Sequence, residues 1–321
     1  MGKHTPCDLH DPQGRKYVLM TAAHNEEKFI EKTITSVLSQ NVRPQRWVIV
    51  SDNSTDRTDE IVENYSRQYD FVRFVRVARP PARSFEAKGI ALQRGSKLLG
   101  DVAFDFIGNI DADISVDPSY FEELIRHFER NPDLGLAAGF IHEETKGEFR
   151  SRRSNRVYSV PHAAQLVRRE CYEAIGGYAV LRYGGEDWHA QTHARMSGWR
   201  IEAIPTLSIF HHRHTGTGTN LLRDRFRSGR MDYSFGSDPI FEIFKCLERL
   251  TERPLFIGGI TRLASFSWSY VCRDKRPVSD EFVAFLRSEQ RLKVLSLLRN
   301  FVRLKARPWK DLLGGGRRKC V

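Results

Sequence analysis

Apolar runs and helical stripes alternate along the first 140 residues. Tyr17–Met20 (YVLM) is a short apolar run. In KFIEKTITSVLSQ, which follows, Phe29, Ile30, Ile34, Val37 and Leu38 fall on one helical face. RWVIVSDNSTD predicts a buried strand ending in turn residues, with Thr55 capping a helix over DRTDEIVENYSRQY. FVRFVRV alternates as a third strand, FEAKGIALQRGSKLL predicts a third helix, and VAFDFIGNID a fourth strand. Pro118 then opens a helix over PSYFEELIRHFER, where proline suits a helix start. This alternation predicts an α/β fold: a mostly parallel sheet flanked by helices on both faces. In such sheets ligands bind beyond the carboxyl ends of the strands, which is where TAAHNEE, SDNSTD and IDAD fall.

The pattern changes at HEETKGEFRSRRSNRVYS, a polar stretch that reads as a loop or linker. AAQLVRRECYEAIGGY, GGEDWHAQTHARMSGW and a strand-like RIEAIPTLSIFHH follow. From Asn220 onward the pattern is helical. PLFIGGITRLASFSWSYVC approaches the length of a membrane span, but Arg262 and several Ser and Gly favour a packed or interfacial helix. The expected organisation is a tail (1–15), a catalytic domain (16–218) with a nucleotide-binding half (16–140) and an acceptor half (141–218), and a helical extension with a basic tail (219–321).

Composition narrows the class. With 40% hydrophobic and 28% charged residues, the 321-residue chain has the balance of a soluble globular protein. Cys7, Cys171, Cys246, Cys272 and Cys320 form no C-x-x-C pair, which fits reduced thiols in a cytoplasmic setting. The N-terminus lacks the apolar core of a signal peptide. The net charge of +11 is concentrated late: residues 276–321 hold twelve Lys/Arg against four Asp/Glu. Two readings stand, a solvated helix face, or peripheral contact of the basic C-terminal helices with an anionic membrane at the inner face of the plasma membrane. Nucleic acid is not an expected partner.

Asp111 and Asp113 close an apolar strand. If the backbone there stays extended, residues two apart share a face and the two carboxylates converge. Two hard oxygen ligands at a ligand-binding sheet edge suit Mn2+ or Mg2+ shared with substrate phosphates, while the plainer alternative is an Asp-rich turn before Pro118. His211 and His212, at the end of a strand-like run, are further candidate ligands, of which only one can face the site.

The order TAAHNEE, VSDNSTDRT, IDAD, IGGY and GGEDW…GW resembles the family-two glycosyltransferases with the GT-A fold, over roughly residues 16 to 215. The resemblance implies a nucleotide-diphosphate sugar donor, a divalent cation at the D-x-D, and inversion at the anomeric carbon. By it, Asp52 resembles the acid that reads the nucleotide base, with Thr21 and Glu26 in the same cleft, and Lys88 lines the nucleotide pocket. Asp113 becomes the metal ligand, and Asp111 faces the ribose or the same ion through water. Ile114 stands where many members carry a further acid. Asp187 matches the general base and Glu186 an orienting or acceptor-binding neighbour, although acids at a helix start also gain about 0.3–1 kcal/mol from the helix dipole alone. Trp188 and Trp199 offer faces for sugar stacking. Arg223, Arg225, Arg227 and Arg230 form a cluster that could grip the diphosphate of the donor or of a lipid-linked acceptor; the alternative is that they are simply a solvated helix face.

The chain lacks the Q-x-x-R-W motif of the processive synthases, so the expectation is single-sugar transfer to a glycan or lipid-linked acceptor in cell-surface polysaccharide or glycoconjugate synthesis. Two rivals remain. A sugar nucleotidyltransferase would carry a glycine-rich, arginine-containing loop after the first strand, where TAAHNEE stands. A non-catalytic membrane- or nucleic-acid-binding protein on a transferase scaffold would not need acids at 52, 111, 113 and 187.

Overall fold

The computed structural model describes residues 14–78, 86–145, 147–213, 221–251 and 255–305. The expected N-terminal tail (all but its last two residues) and the basic tail from 306 lie outside the described residues, as does the 214–219 stretch. The chain divides into two units, one ending at Gly218 and one beginning at Thr219.

The first unit is built on a nine-stranded mixed sheet. Its N-terminal half contains β1 (Tyr17–Ala23), β2 (Arg46–Asp52), β3 (Val72–Val77) and β4 (Phe106–Ile110), in the spatial order β3-β2-β1-β4 and parallel throughout. The helices α1 (Ile30–Leu38), α2 (Thr58–Gln68) and α3 (Glu86–Lys97) make the crossovers. Both faces of this half are covered, so β1 and β4 are apolar runs buried almost without interruption. The helix α1 buries Ile30, Ile34 and Val37, spaced by four and three residues. Thr55 does not cap α2. Asp56 does the work instead, accepting from the Thr58 N–H at 3.0 Å, while the Thr55 N–H donates to Asn25.

The other half adds β5 (Ile114–Val116), α4 (Tyr120–Arg130), β6 (Leu134–Thr145), β7 (Glu148–Ser151), β8 (Ala164–Arg168), α5 (Arg169–Ala174), α6 (Glu186–Met196) and β9 (Arg200–His211). The order continues from β4 as β8-β6-β9-β5. Here the sheet turns mixed: β8 runs antiparallel to both β4 and β6, and β5 antiparallel to β9. The stretch expected as a linker after Ile141 is in part a hairpin of β6 and β7. Every residue of β7 is exposed, so no buried face marked it in the sequence. Pro118 stands two residues ahead of α4 rather than inside it.

The second unit is helical: α7 (Leu221–Ser234), α8 (Pro239–Glu248), a short 3-10 turn (Arg249–Thr251), α9 (Ile257–Val271) and α10 (Asp280–Lys305). Asp238 caps α8 by accepting from the Ile240 and Phe241 N–H groups, and Pro239 takes the first turn, where it loses no helical hydrogen bond. Among the described residues no helix is long and apolar enough to cross a membrane. Cys171 and Cys246 are buried free thiols and Cys272 an exposed one.

Candidate active site

At the carboxyl end of β4 the backbone leaves the sheet. Residues 111–113 form a turn between β4 and β5, so the extended geometry expected of Asp111 and Asp113 does not hold. The two side chains instead face two different cations. Asp111 takes Lys88 Nζ at 2.8 Å and accepts from the Asn109 amide at 3.1 Å. Asp113 takes the Arg213 guanidinium at 3.0 Å and His211 Nε2 at 3.3 Å.

Around Asp111, Lys88 projects from α3 and also lies 4.0 Å from Glu186, the first residue of α6. The GGED segment therefore reaches Asp111 across one ammonium group. Gly184 and Gly185 both have positive φ (77° and 89°), the left-handed conformation glycine adopts without a Cβ penalty. They turn the chain sharply enough to begin α6 at Glu186. Burial disfavours the charged form of Lys88, but the carboxylates of Asp111 and Glu186 outweigh it and hold the amine above its ordinary range. Asp187 moves the other way: burial, then the charge of Glu186, raise its pKa, opposed by the Trp188 N–H and by Lys88. Beneath them lies a polar floor: Asn109, His162 and Gln165, all buried, with Asn109 Oδ1, His162 Nε2 and Gln165 Oε1 lacking hydrogen-bond partners. Burial and the nearby Lys88 keep His162 neutral.

Around Asp113, Arg213 also ion-pairs with Glu26. Burial, then the Asp113 charge, push Glu26 up to about 7 despite Arg213. For Asp113 burial acts upward, but His211 and Arg213 prevail and hold it below the usual carboxylate range.

Of the two histidines, His211 faces Asp113. His212 does not: its Nε2 lies 2.8 Å from Ser115 Oγ and its ring packs against Phe149. Thr21, expected in the nucleotide cleft, is fully buried, with its hydroxyl donating to the Ile110 carbonyl and accepting from the Trp47 indole. Trp199, expected to stack on a sugar, packs on Gly135 at the start of β6, the opposite end of the sheet from Asp111. Asp52 ends β2, and its carbonyl lies 2.6 Å from His24 Nδ1. Trp188 follows Asp187 in α6, and its N–H donates to Asp187 Oδ1 at 2.7 Å. Arg223 and Arg227 lie on α7 of the second unit, where Arg230 is paired with Asp274. Sequence reasoning missed Arg213 and the Asn109–His162–Gln165 floor. Arg213 stood in plain view beside His212, but nothing in a single chain says that a strand-end arginine folds back onto two acids.

Among the described residues no three acids, histidines or cysteines gather as a metal cage. The donor set near Asp113 still fits a hard divalent ion that takes its remaining ligands from a diphosphate and water. Asp113 is ionised, and His211 Nε2 is within reach of it. The other ring nitrogen of His211 is buried without a hydrogen-bond partner, with Glu143 4.0 Å away, so the ring lacks the hydrogen bond that usually orients a ligating imidazole.

The family described as glycosyl transferase family 2 matches residues 19–186, just over half of the chain. The chain belongs to that family. It is a glycosyltransferase, and the expected α/β fold and enzyme class are borne out. Among curated proteins it is similar to the poly-beta-1,6-N-acetyl-D-glucosamine synthases of Staphylococcus epidermidis (29% identical over 120 residues) and of Staphylococcus aureus (27% over 139). The matches cover 37% and 43% of this chain but only 27% and 31% of those relatives, so the chain spans less than a third of their length. Among solved structures it is similar to S. aureus TarS 1–349 in complex with UDP-GlcNAc (TM-score 0.51, 13% identity, 84% of this chain and 78% of that one). A second is the mannosyltransferase PcManGT from Pyrobaculum calidifontis with GDP-Man and Mn2+ (TM-score 0.52, 14%, 94% and 88%). At these identities the likeness is one of fold, the GT-A arrangement.

Proposed function

We propose that this family-two transferase moves one sugar from a nucleoside-diphosphate sugar to an acceptor hydroxyl, with inversion at the anomeric carbon. The observation that carries the reading is the pairing of Asp187, a carboxylate whose proton affinity is raised, with Asp111 at the carboxyl end of the parallel strands, linked through Lys88 and Glu186.

In the transfer step the acceptor oxygen attacks the anomeric carbon as the bond from that carbon to the diphosphate oxygen breaks. The acceptor proton passes to Asp187, and the electron pair of the broken bond leaves with the nucleoside diphosphate. A base works best when its pKa lies closer to the working pH, and partial burial beside Glu186 moves Asp187 in that direction. Lys88 opposes that rise. Asp52 and Asp111 stand to hold the nucleoside, and Trp188 offers a face to the acceptor. Asp113 and His211 would hold Mn2+ or Mg2+, which would neutralise charge growing on the leaving diphosphate. The name of the curated relatives and the donor sugar bound to TarS favour a cell-surface glycan as product and UDP-GlcNAc as the first donor to try. The absent Q-x-x-R-W motif favours single transfer.

The test pairs Asp187→Asn with wild type on UDP-GlcNAc and GDP-Man. Asn is nearly isosteric but cannot accept the proton, so turnover falls about 10²–10⁴-fold while donor affinity by calorimetry stays put. The product's anomeric configuration, read by NMR, is opposite to the donor's. Near-normal turnover by the variant, or retained configuration, removes the mechanism.

A further inference from the structure

We propose that the outer faces of α8 and α9 are a lipid-docking surface that enters the headgroup region of an anionic bilayer. This surface belongs to the second unit and stands independently of the transfer reading.

The two helices are patterned inside out. On α8 the buried positions are Glu242 and Cys246, whereas Ile240, Ile243, Phe244 and Leu247 are exposed, Ile240 at 61% and Leu247 at 55%. On α9 the buried positions are Gly258, Gly259, Arg262, Ser265, Ser269 and one large apolar residue, Phe266, whereas Ile257, Ile260, Trp268 and Val271 face out, Ile260 at 63% and Val271 at 74%. In water a helix normally buries its apolar stripe. Here the stripe is outside, and the inside is held by a charge cluster. Arg262 pairs with Asp232 and lies 2.7 Å from Glu242, and Lys245 reaches Asp232 at 2.9 Å. Gly229 of α7 sits against the Arg262 carbonyl and Ser265, and Gly259 of α9 against the Cys246 carbonyl, both too close for a Cβ. Glycine and serine contacts around paired charges are how helices hold together when their surroundings, rather than their interior, are apolar.

Charge decides between possible coverings. Residues 219–321 contain 22 Lys/Arg and 11 Asp/Glu, the whole of the +11, while residues 1–218 are balanced at 29 each. Arg273 and Lys275, both exposed, follow directly on the apolar stripe of α9. An apolar face continued by cations matches the acyl boundary and anionic headgroups of a bilayer, with Trp268 of the kind that settles at the interface. At 10 and 15 residues, α8 and α9 are shorter than the roughly 20 needed to span, so they lie in the surface.

The experiment floats the full chain with vesicles of phosphatidylcholine alone and of phosphatidylcholine with phosphatidylglycerol, at low and high salt. Wild type binds the anionic vesicles, and binding weakens but persists at high salt because part of it is apolar. Ile257→Glu/Ile260→Glu lowers binding at least about tenfold with an unchanged melting temperature, since both side chains face out. Arg273→Gln/Lys275→Gln lowers binding to anionic vesicles without touching either helix and guards against a folding defect in the first variant. Wild type that stays with the soluble fraction at both salts overturns the proposal. So does a double glutamate variant that floats like wild type, or a wild-type dimer that this variant converts to monomer with no vesicle binding in either form.

Discussion

The ammonium of Lys88 stands 2.8 Å from Asp111 and 4.0 Å from Glu186, so one cation from α3 joins the acid that follows β4 to the acid that opens α6. Asp187, next in sequence, feels that charge as a downward pull on a pKa that burial has raised. Lys88→Ala removes the pull. The acidic limb of the kcat/KM profile then moves to higher pH, because a nearby opposite charge holds a carboxylate's pKa down and its loss lets the pKa rise. Lys88→Arg, which restores a cation, brings the limb back toward wild type. A profile unmoved by Lys88→Ala would mean that Asp187 is not the group titrating in turnover.

Arg213 does for Asp113 what Lys88 does for Asp111, and it also grips Glu26. A divalent ion drawing on Asp113 must share that carboxylate with the guanidinium. Arg213→Gln frees the carboxylate, so the Mn2+ concentration giving half-maximal activity falls several-fold, while activity without any divalent ion does not rise. A higher metal requirement in the variant would instead make Arg213 a contributor to the metal–diphosphate complex.

Much of this arrangement is visible in the residue order, and the exceptions have physical causes. The β1, β2 and β4 strands could be read because burial on both faces writes a mainly apolar run. The strand β7 has no buried residue and wrote nothing. The choice between His211 and His212 needed the register of β9, which pairs His211 with Ile114 beside Asp113. Thr21 looked like a cleft residue by motif, yet its hydroxyl is used up inside the sheet. The turn at 111–113 hid the largest surprise. The D-x-D invited a single cation between two parallel carboxylates, and the fold supplies two separate ones from residues far apart in the chain, Lys88 and Arg213. Long-range charge pairing of this kind leaves no periodic mark.

His189, buried in α6 beside His193, makes stability depend on pH in a defined direction. Burial, then the neighbouring His193, lower its pKa to about 4, against an ordinary 6.5. The unfolded chain therefore binds a proton that the folded chain refuses. The contribution is fully present above about 6.5 and is lost as pH falls through 4, amounting to about 3 kcal/mol across that window. Denaturant titrations of wild type and His189→Gln between pH 7 and 4 isolate it: the wild type loses stability more steeply than the variant by about that amount. Parallel slopes would show that His189 is protonated in the folded protein as readily as in the unfolded one.

Gly108 tests the packing that aims the site. It sits in the middle of β4, where a Cβ would come within 2.6 Å of the Gln165 carbonyl, 2.7 Å of Leu166 and 2.8 Å of Leu19. The Leu side chains could shift, but the Gln165 carbonyl is backbone of β8, held in the antiparallel ladder that pairs Asn109 with Gln165. A methyl group there must push β4 and β8 apart, at a cost of about 1–3 kcal/mol for overpacking. The same displacement moves Asn109, whose amide holds both Asp111 and the His162 carbonyl. Gly108→Ala therefore lowers the denaturation midpoint and, in the fraction that stays folded, weakens donor binding more than Gly95→Ala in α3, where the nearest atoms are the Met20 side chain at 3.3 Å and 3.5 Å and Val50 at 3.5 Å. Equal effects of the two substitutions on donor affinity would separate the β4–β8 contact from the geometry of Asp111.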